Sequence, residues 1–379
     1  MNNLSNNPND TPKRFLMKIF GSPFRYIQGP GAIAHLGDIL APLGERYFLI
    51  FDEVVKEIIG NRIADSLHQA GKNCHIGLFG GECCKSEILK LKQQAQKEPP
   101  EVIIGAGGGK TADTAKVLSI ELELPVVIVP TIASNDAPTS HFAVVYNENH
   151  VYDHMEIMKL SPWYVVVDTE ILVKAPKRFF VAGIGDAIAT KFEAEANANS
   201  GANNYFEGQV SQAALALADQ SWQIIKEKAF ESLQAIDTGI VNQAFEDVVE
   251  ATILLSGLGF ENGGLAAAHS ISSGFTFLDQ TRGTMHGEMV AFGLLVQFML
   301  EERPKQFLNE MFSFYQKVGL PVTLAELGIK PSISEKLVPA METICGPASE
   351  IHNMPFEIHT EMVARAILKA DLMGEALKG

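Results

Sequence analysis

Through the first half of the chain, short β-branched and aromatic runs alternate with longer helix-forming stretches, and the alternation stops near residue 175. The runs are Tyr47-Phe-Leu-Ile-Phe-Asp52, His75-Ile-Gly-Leu-Phe79, Val102-Ile-Ile104, Pro125-Val-Val-Ile-Val-Pro130 and Tyr164-Val-Val-Val-Asp168. Strands separated by helices predict a parallel sheet with helices on both faces. Two further runs, Ala143-Val-Val-Tyr146 and Val151-Tyr152, flank the turn-forming Asn147-Glu-Asn149 and predict a hairpin. After Pro176 the strand signals disappear, and Ala-, Leu- and Glu-rich periodic segments follow at roughly 178–200, 207–230, 238–258, 264–277, 286–301, 304–318 and 359–376. The pattern predicts a loose tail over 1–20, a Rossmann-like α/β parallel-sheet domain over 21–175 and an all-helical (all-α) C-terminal domain over 176–379.

Composition narrows the partners. With 379 residues, 46% of them hydrophobic, the chain is long enough for two domains and a large core. No uninterrupted apolar run is long enough to span a bilayer, and Phe15-Leu-Met-Lys-Ile-Phe20 is too short for a secretory signal. The net charge of −15 and the absence of any Lys/Arg run argue against a nucleic-acid surface. Cys74, the adjacent Cys83-Cys84 and Cys345 lack metal-site spacing, so a reduced, cytoplasmic setting is expected.

The richest segment is Val102-Ile-Ile-Gly-Ala-Gly-Gly-Gly-Lys-Thr-Ala-Asp-Thr-Ala-Lys116. A strand runs into Gly107, Gly108 and Gly109, and a helix opens at once with Lys110. Bare backbone at a helix N-terminus lets a polyanion approach unpaired N–H groups and a partial positive charge. The turn therefore reads as a diphosphate cradle; the alternative is a tight turn with no ligand. It is not a P-loop, since three residues rather than four separate Gly105 from Gly109, and Lys110 stands where a dinucleotide fingerprint needs glycine.

The next loop, Pro130-Thr-Ile-Ala-Ser-Asn-Asp-Ala-Pro-Thr-Ser140, must lie beyond the carboxyl end of a strand, where open α/β sheets bind ligands. Hydroxyls of Thr131, Ser134 and Ser140 suit phosphate or ribose oxygens, and Asp136 suits a hydroxylated substrate. The competing reading is a turn rich in side-chain caps. Asp52 ends its run with a carboxylate fit for ribose hydroxyls and repulsive to a 2′-phosphate, or fit to cap the helix starting at Glu53. Both roles are compatible.

In the helical half, Gly183-Ile-Gly-Asp-Ala-Ile-Ala-Thr190 is read as placing Asp186 in the first turn of an apolar helix. His269 falls in Gly263-Gly-Leu-Ala-Ala-Ala-His-Ser270, and His286 precedes the apolar stretch Met289 to Leu300. One carboxylate and two imidazoles can hold Zn²⁺ with a fourth position open for Lewis-acid work, or the histidines can be ordinary core residues.

With these residues in view, the chain resembles the glycerol dehydrogenases, within the iron-containing alcohol dehydrogenase and dehydroquinate-synthase-like superfamily. The resemblance runs from about Ser22 to the C-terminus and is carried by Tyr26-Ile-Gln-Gly29, Phe79-Gly-Gly-Glu-Cys83, the Gly107–Lys116 turn, Pro130-Thr-Ile-Ala-Ser134, Gly183-Ile-Gly-Asp-Ala187, Gly263-Gly-Leu-Ala-Ala-Ala-His269, His286-Gly-Glu288 and Ile351-His-Asn-Met-Pro355. It implies NAD-linked oxidation of a vicinal diol to a hydroxyketone, with Asp186, His269 and His286 holding catalytic Zn²⁺ (Fe²⁺ or another divalent ion is the alternative). It places Asp136 on the polyol. NAD falls to Asp52, Gly107, Gly108, Gly109, Lys110, Asp113, Thr131, Ser134, Ser140, Phe142 and Tyr146. A homo-oligomer, an octamer in the family, is implied in the same way. Departures cluster near the chemistry: Ser272 stands where a second histidine is usual, Asn135 where threonine is, Thr139 where cysteine is, His141-Phe142 where a small-aliphatic pair is, and Thr284-Met285 where aromatics are. They leave the choice of polyol or hydroxyketone open. They also leave open a catalytically weakened NAD-binding homologue. A metal-dependent cyclase or lyase of the dehydroquinate synthase type is the further alternative, which the missing Lys/Arg cluster beside His269 and His286 disfavours.

Overall fold

The structure is a computed structural model that describes residues 17–148, 152–329 and 338–378. Six strands form one parallel sheet in the order β1-β8-β5-β4-β2-β3, with β1 Arg25–Gly29, β2 Arg46–Phe51, β3 Asn73–Leu78, β4 Val102–Gly107, β5 Val126–Pro130 and β8 Tyr164–Asp168. The apolar runs fill its centre: every residue of β4, β5 and β8 is buried. β1 was not expected. It is an edge strand, exposed or half-buried throughout, and a strand that buries little needs no apolar run to mark it. β6 Phe142–Tyr146 and β7 Tyr152–Ile157 form the expected antiparallel pair, with β7 longer than its sequence signal. Residues 149–151 of its turn lie outside the described residues.

Register positions the site. Gly107 pairs with Pro130, so β4 and β5 end side by side, and Thr131 N–H donates to the Gly107 carbonyl at 3.0 Å. The glycine turn and the 131–140 loop therefore share one edge of the sheet.

Helices of the second half start and stop at their caps. Ser211 accepts from the Ala214 N–H, so the second long helix is Gln212–Thr238 rather than 207–230, and it ends at the left-handed Gly239. Asn242 caps Gln243–Glu250, which runs through a π turn, Ala251–Leu255, into Ser256–Gly263. The helices Lys177–Ser200, Ala267–Phe275, His286–Leu300, Lys305–Val318 and Thr360–Lys378 follow the expected pattern; Val338–Ile344 was not anticipated. One apolar core joins both regions, from Tyr47, Leu49 and Val166 on the sheet to Ile184, Phe292 and Phe312 on the helices. No helix among the described residues is long and apolar enough to cross a membrane. Residues 1–16 of the expected tail lie outside the described residues, whereas its last residues are pinned: Asn204 Nδ2 donates to the Ile19 carbonyl at 2.7 Å.

Candidate active site

Asp186 sits in the third turn of the Lys177–Ser200 helix, not the first, because that helix begins directly after Pro176. Bare glycines bring its partners close. A Cβ on Gly287 would lie 1.9 Å from the Ala182 carbonyl oxygen, and one on Gly183 would lie 2.1 Å from that of Ala133. The start of the His286–Leu300 helix and the 131–140 loop thus both rest on the helix that carries Asp186.

The three expected ligands converge. His269 Nε2 lies 3.4 Å and His286 Nε2 3.3 Å from Asp186 Oδ1, and all the ligand atoms fall within 4.8 Å of one another. Neither Asp186 oxygen has a hydrogen-bond partner, although the residue is 1% exposed. A buried carboxylate without a donor is costly unless a cation compensates it. His269 is oriented from behind: its Nδ1 lies 2.5 Å from Glu193 Oε2, while Glu193 Oε1 accepts the N–H groups of Ala266 and His269, each at 2.9 Å. With Nδ1–H donated to Glu193, Nε2 is the nitrogen turned to Asp186, and once it gives up its proton it offers a lone pair to a cation, the usual support of a metal-binding histidine. Burial alone would raise the Asp186 carboxyl and lower the His269 imidazole. Charge overturns both: His286 and His269 hold Asp186 well below the usual carboxylate range, and Glu193 and Asp186 push His269 well above its ordinary value. An anionic oxygen flanked by two imidazole nitrogens fits a divalent cation with positions left open.

At the sheet edge, Gly108 caps the Gly109–Leu122 helix without a side-chain bond, so no cap side chain occupies its first-turn N–H groups. Lys110 Nζ stands beside them, 2.7 Å from Glu82 Oε2 and 5.2 Å from the centre of the Tyr146 ring. A Cβ on Gly109 would come within 3.0 Å of Asn135 Nδ2. Thr131 and Ser134 are half-buried at this edge. Ser140 and Asp113 are turned inward: the fully buried Lys116 donates to Ser140 Oγ at 3.1 Å and to the carbonyls of Ala137 and Phe142 at 2.7 and 2.8 Å, and lies 3.9 Å from Asp113. Burial pushes Asp113 up to about 6 against the opposing charge of Lys116. Phe142 meets Tyr205 edge-on at 4.7 Å. Asp52 Oδ1 accepts the Val55 N–H at 2.8 Å, so its capping role is real.

Asp136 is buried, and its Oδ2 accepts from Ser256 Oγ at 2.6 Å. Burial, then the charge of Asp186, raises its carboxyl well above the usual range. Ser272 is buried with no hydrogen-bond partner for its hydroxyl. Sequence reasoning missed Glu193, Lys116, Glu82 and Ser256. Only Glu193 left a signal: it lies seven residues, two turns, beyond Asp186 on the same helix face.

Comparison with known proteins agrees with this architecture. Residues 23–169 match the model of the family described as iron-containing alcohol dehydrogenase. The chain is 42% identical to the glycerol dehydrogenase of Citrobacter freundii over 95% of its own length and 99% of that protein. It is 39% identical to the glycolaldehyde reductase of Halobacterium salinarum, over 96% of this chain and all of that one. The crystal structure of a probable glycerol dehydrogenase from Sinorhizobium meliloti 1021 superposes with a TM-score of 0.90 at 40% identity, covering 95% of this chain and 99% of that one. The chain belongs to the iron-containing alcohol dehydrogenase family of oxidoreductases.

Proposed function

We propose that the protein oxidises glycerol or a related vicinal diol to the hydroxyketone, with NAD⁺ as hydride acceptor and a divalent cation, Zn²⁺ in the first instance, held by Asp186, His269 and His286. The observation that carries this is the convergence of the buried Asp186 carboxylate and two imidazoles, whose Nε2 atoms lie 3.4 and 3.3 Å from Asp186 Oδ1. When bound, the cation supplies Lewis-acid polarisation of an alcohol oxygen, and the nicotinamide takes the hydride. The chain's own residues do the rest. Gly107, Gly108 and Gly109 offer backbone N–H groups to the diphosphate, and Lys110 adds a full charge. Asp52 accepts ribose hydroxyls, Thr131, Ser134, Phe142 and Tyr146 shape the cofactor side with Ser140 and Asp113 set behind them on Lys116, and Asp136 accepts from the polyol. On this reading 21–175 is the cofactor domain and 176–379 the metal-binding domain, in a cytoplasmic homo-oligomer.

The test is turnover on a panel of glycerol, other vicinal diols and, in reverse, glycolaldehyde and dihydroxyacetone. NAD⁺ is expected to be preferred over NADP⁺ by at least about tenfold in kcat/KM, roughly 1.4 kcal/mol, because Asp52 would face the 2′-phosphate. Equal efficiency with both cofactors would remove Asp52 from the ribose. No turnover on any substrate of the panel, with cofactor and metal bound, would overturn the reading.

Lys110→Ala should raise the Kd for NAD⁺ by about 10- to 100-fold, since a hydrogen bond to a charged group contributes roughly 1.5–3 kcal/mol. Calorimetric titration with NAD⁺ checks this, and an unchanged Kd would place the diphosphate elsewhere.

A further inference from the structure

The loop that carries Asp136 is fastened to the helical region at several points, and one of them reaches the carboxylate itself. Ser256 opens the Ser256–Gly263 helix directly after the π turn Ala251–Leu255. Such turns shift the face that a helix presents and recur at functional sites. Ser256 Oγ donates to Asp136 Oδ2 at 2.6 Å and lies 2.8 Å from Thr190 Oγ1. Ser256 and Thr190 are fully buried, and Asp136 is 7% exposed. A serine hydroxyl has one proton. Ser256 spends it on the carboxylate, so Thr190 must be the donor to Ser256.

Thr190 lies four residues beyond Asp186, one turn along the same helix. The chain Thr190 to Ser256 to Asp136 therefore joins the helix bearing a metal ligand to the carboxylate assigned to the polyol. Neighbouring contacts hold the loop in place. A Cβ on Gly257 would lie 1.8 Å from Thr139 Oγ1 and 3.0 Å from the Asp136 carbonyl oxygen, so only glycine admits the loop this closely. Thr139 Oγ1 is 3.2 Å from the Ile253 carbonyl oxygen, and Glu261 Oε1 accepts the His141 N–H at 2.5 Å.

We infer that Ser256, oriented by Thr190, is a positioning residue that holds one oxygen of the Asp136 carboxylate and thereby presents the other to the substrate. This rests on the assignment of Asp136 to the polyol. It adds that the distance between substrate hydroxyl and metal is set from the helical region and not by the loop alone. A carboxyl group free to rotate would still offer its oxygens but would not aim them, and substrate hydroxyls bind by direction.

The test compares Ser256→Ala, Ser256→Thr, Thr190→Val and Asp136→Asn in the metal-loaded protein. Ser256→Ala is expected to raise the polyol KM by about tenfold with kcat changed much less, the signature of lost binding made equally in ground and transition states. Its Kd values for NAD⁺ and Zn²⁺ should stay at wild-type values. Ser256→Thr keeps the hydroxyl and should restore KM. Thr190→Val, close in shape, should raise KM by a smaller factor, and it decides the matter if either Ser256 variant fails to fold. A KM unchanged in Ser256→Ala or, where that variant fails to fold, in Thr190→Val, or a rise matched by equal loss of NAD⁺ and Zn²⁺ affinity, overturns the positioning role. Asp136→Asn separates the two levels. If it too leaves KM unchanged, Asp136 does not hold the polyol and the underlying reading falls with it. If it raises KM while the Ser256 and Thr190 variants do not, only the positioning role is lost.

Discussion

His286→Ala is expected to lower turnover by about 10³-fold or more and to lower the thermal unfolding midpoint, since Asp186 loses one of the two imidazoles that stabilise its buried charge. The Lewis acid is asked for several kcal/mol of transition-state stabilisation, and each 1.36 kcal/mol is tenfold in rate. His286 is the cleanest of the three ligands to remove, because its side chain is 47% exposed and begins a helix, so its loss opens no cavity. His269→Ala should abolish turnover equally and lower stability further, because it also takes the imidazole away from the fully buried Glu193. Metal content by atomic absorption, kcat and an unfolding scan check the pair. Full turnover by His286→Ala with metal retained would remove this residue from the site. Stripping the wild type with a chelator should reproduce the loss, and Zn²⁺ should reverse it.

Glu193→Gln is expected to weaken metal affinity by about 10- to 100-fold without touching a ligand. In the wild type Glu193 Oε1 already receives two backbone N–H groups, and Oε2 faces His269 Nδ1. A glutamine that keeps its oxygen on those N–H groups must turn its NH₂ to Nδ1. The imidazole then carries its proton on Nε2, aimed at Asp186, where a ligand needs a lone pair. Zn²⁺ titration by calorimetry measures the loss, and the NAD⁺ Kd should not move. Unchanged Zn²⁺ affinity would mean that the ring is oriented by its packing alone.

The sequence by itself determined the elements whose signal is local. Apolar runs marked β2, β4, β5 and β8 because these strands bury nearly every residue, and 3.6-residue periodicity marked the long helices. The glycines announced the turn at Gly107–Gly109, and the family resemblance singled out Asp186, His269 and His286 before any geometry was in view. Tertiary structure decided what depends on a neighbour. Arg25–Gly29 is a strand only because β8 offers its ladder. Ser211, Gly239 and Asn242 shifted the helix ends, since a cap competes with periodicity only once both sides of the terminus are placed. The buried Lys116 holds Ser140 and Asp113 from behind, a placement that no local pattern marks. Glu193 and Ser256 act on residues 76 and 120 positions away, and their hydrogen bonds exist only after the helices and the loop have closed on one another. Periodicity and turn chemistry act within a few residues along the chain, so they specify helices, strands and turns. Which buried carboxylate meets which imidazole or hydroxyl is settled by packing, which brings distant segments together and forbids a buried charge to stay alone.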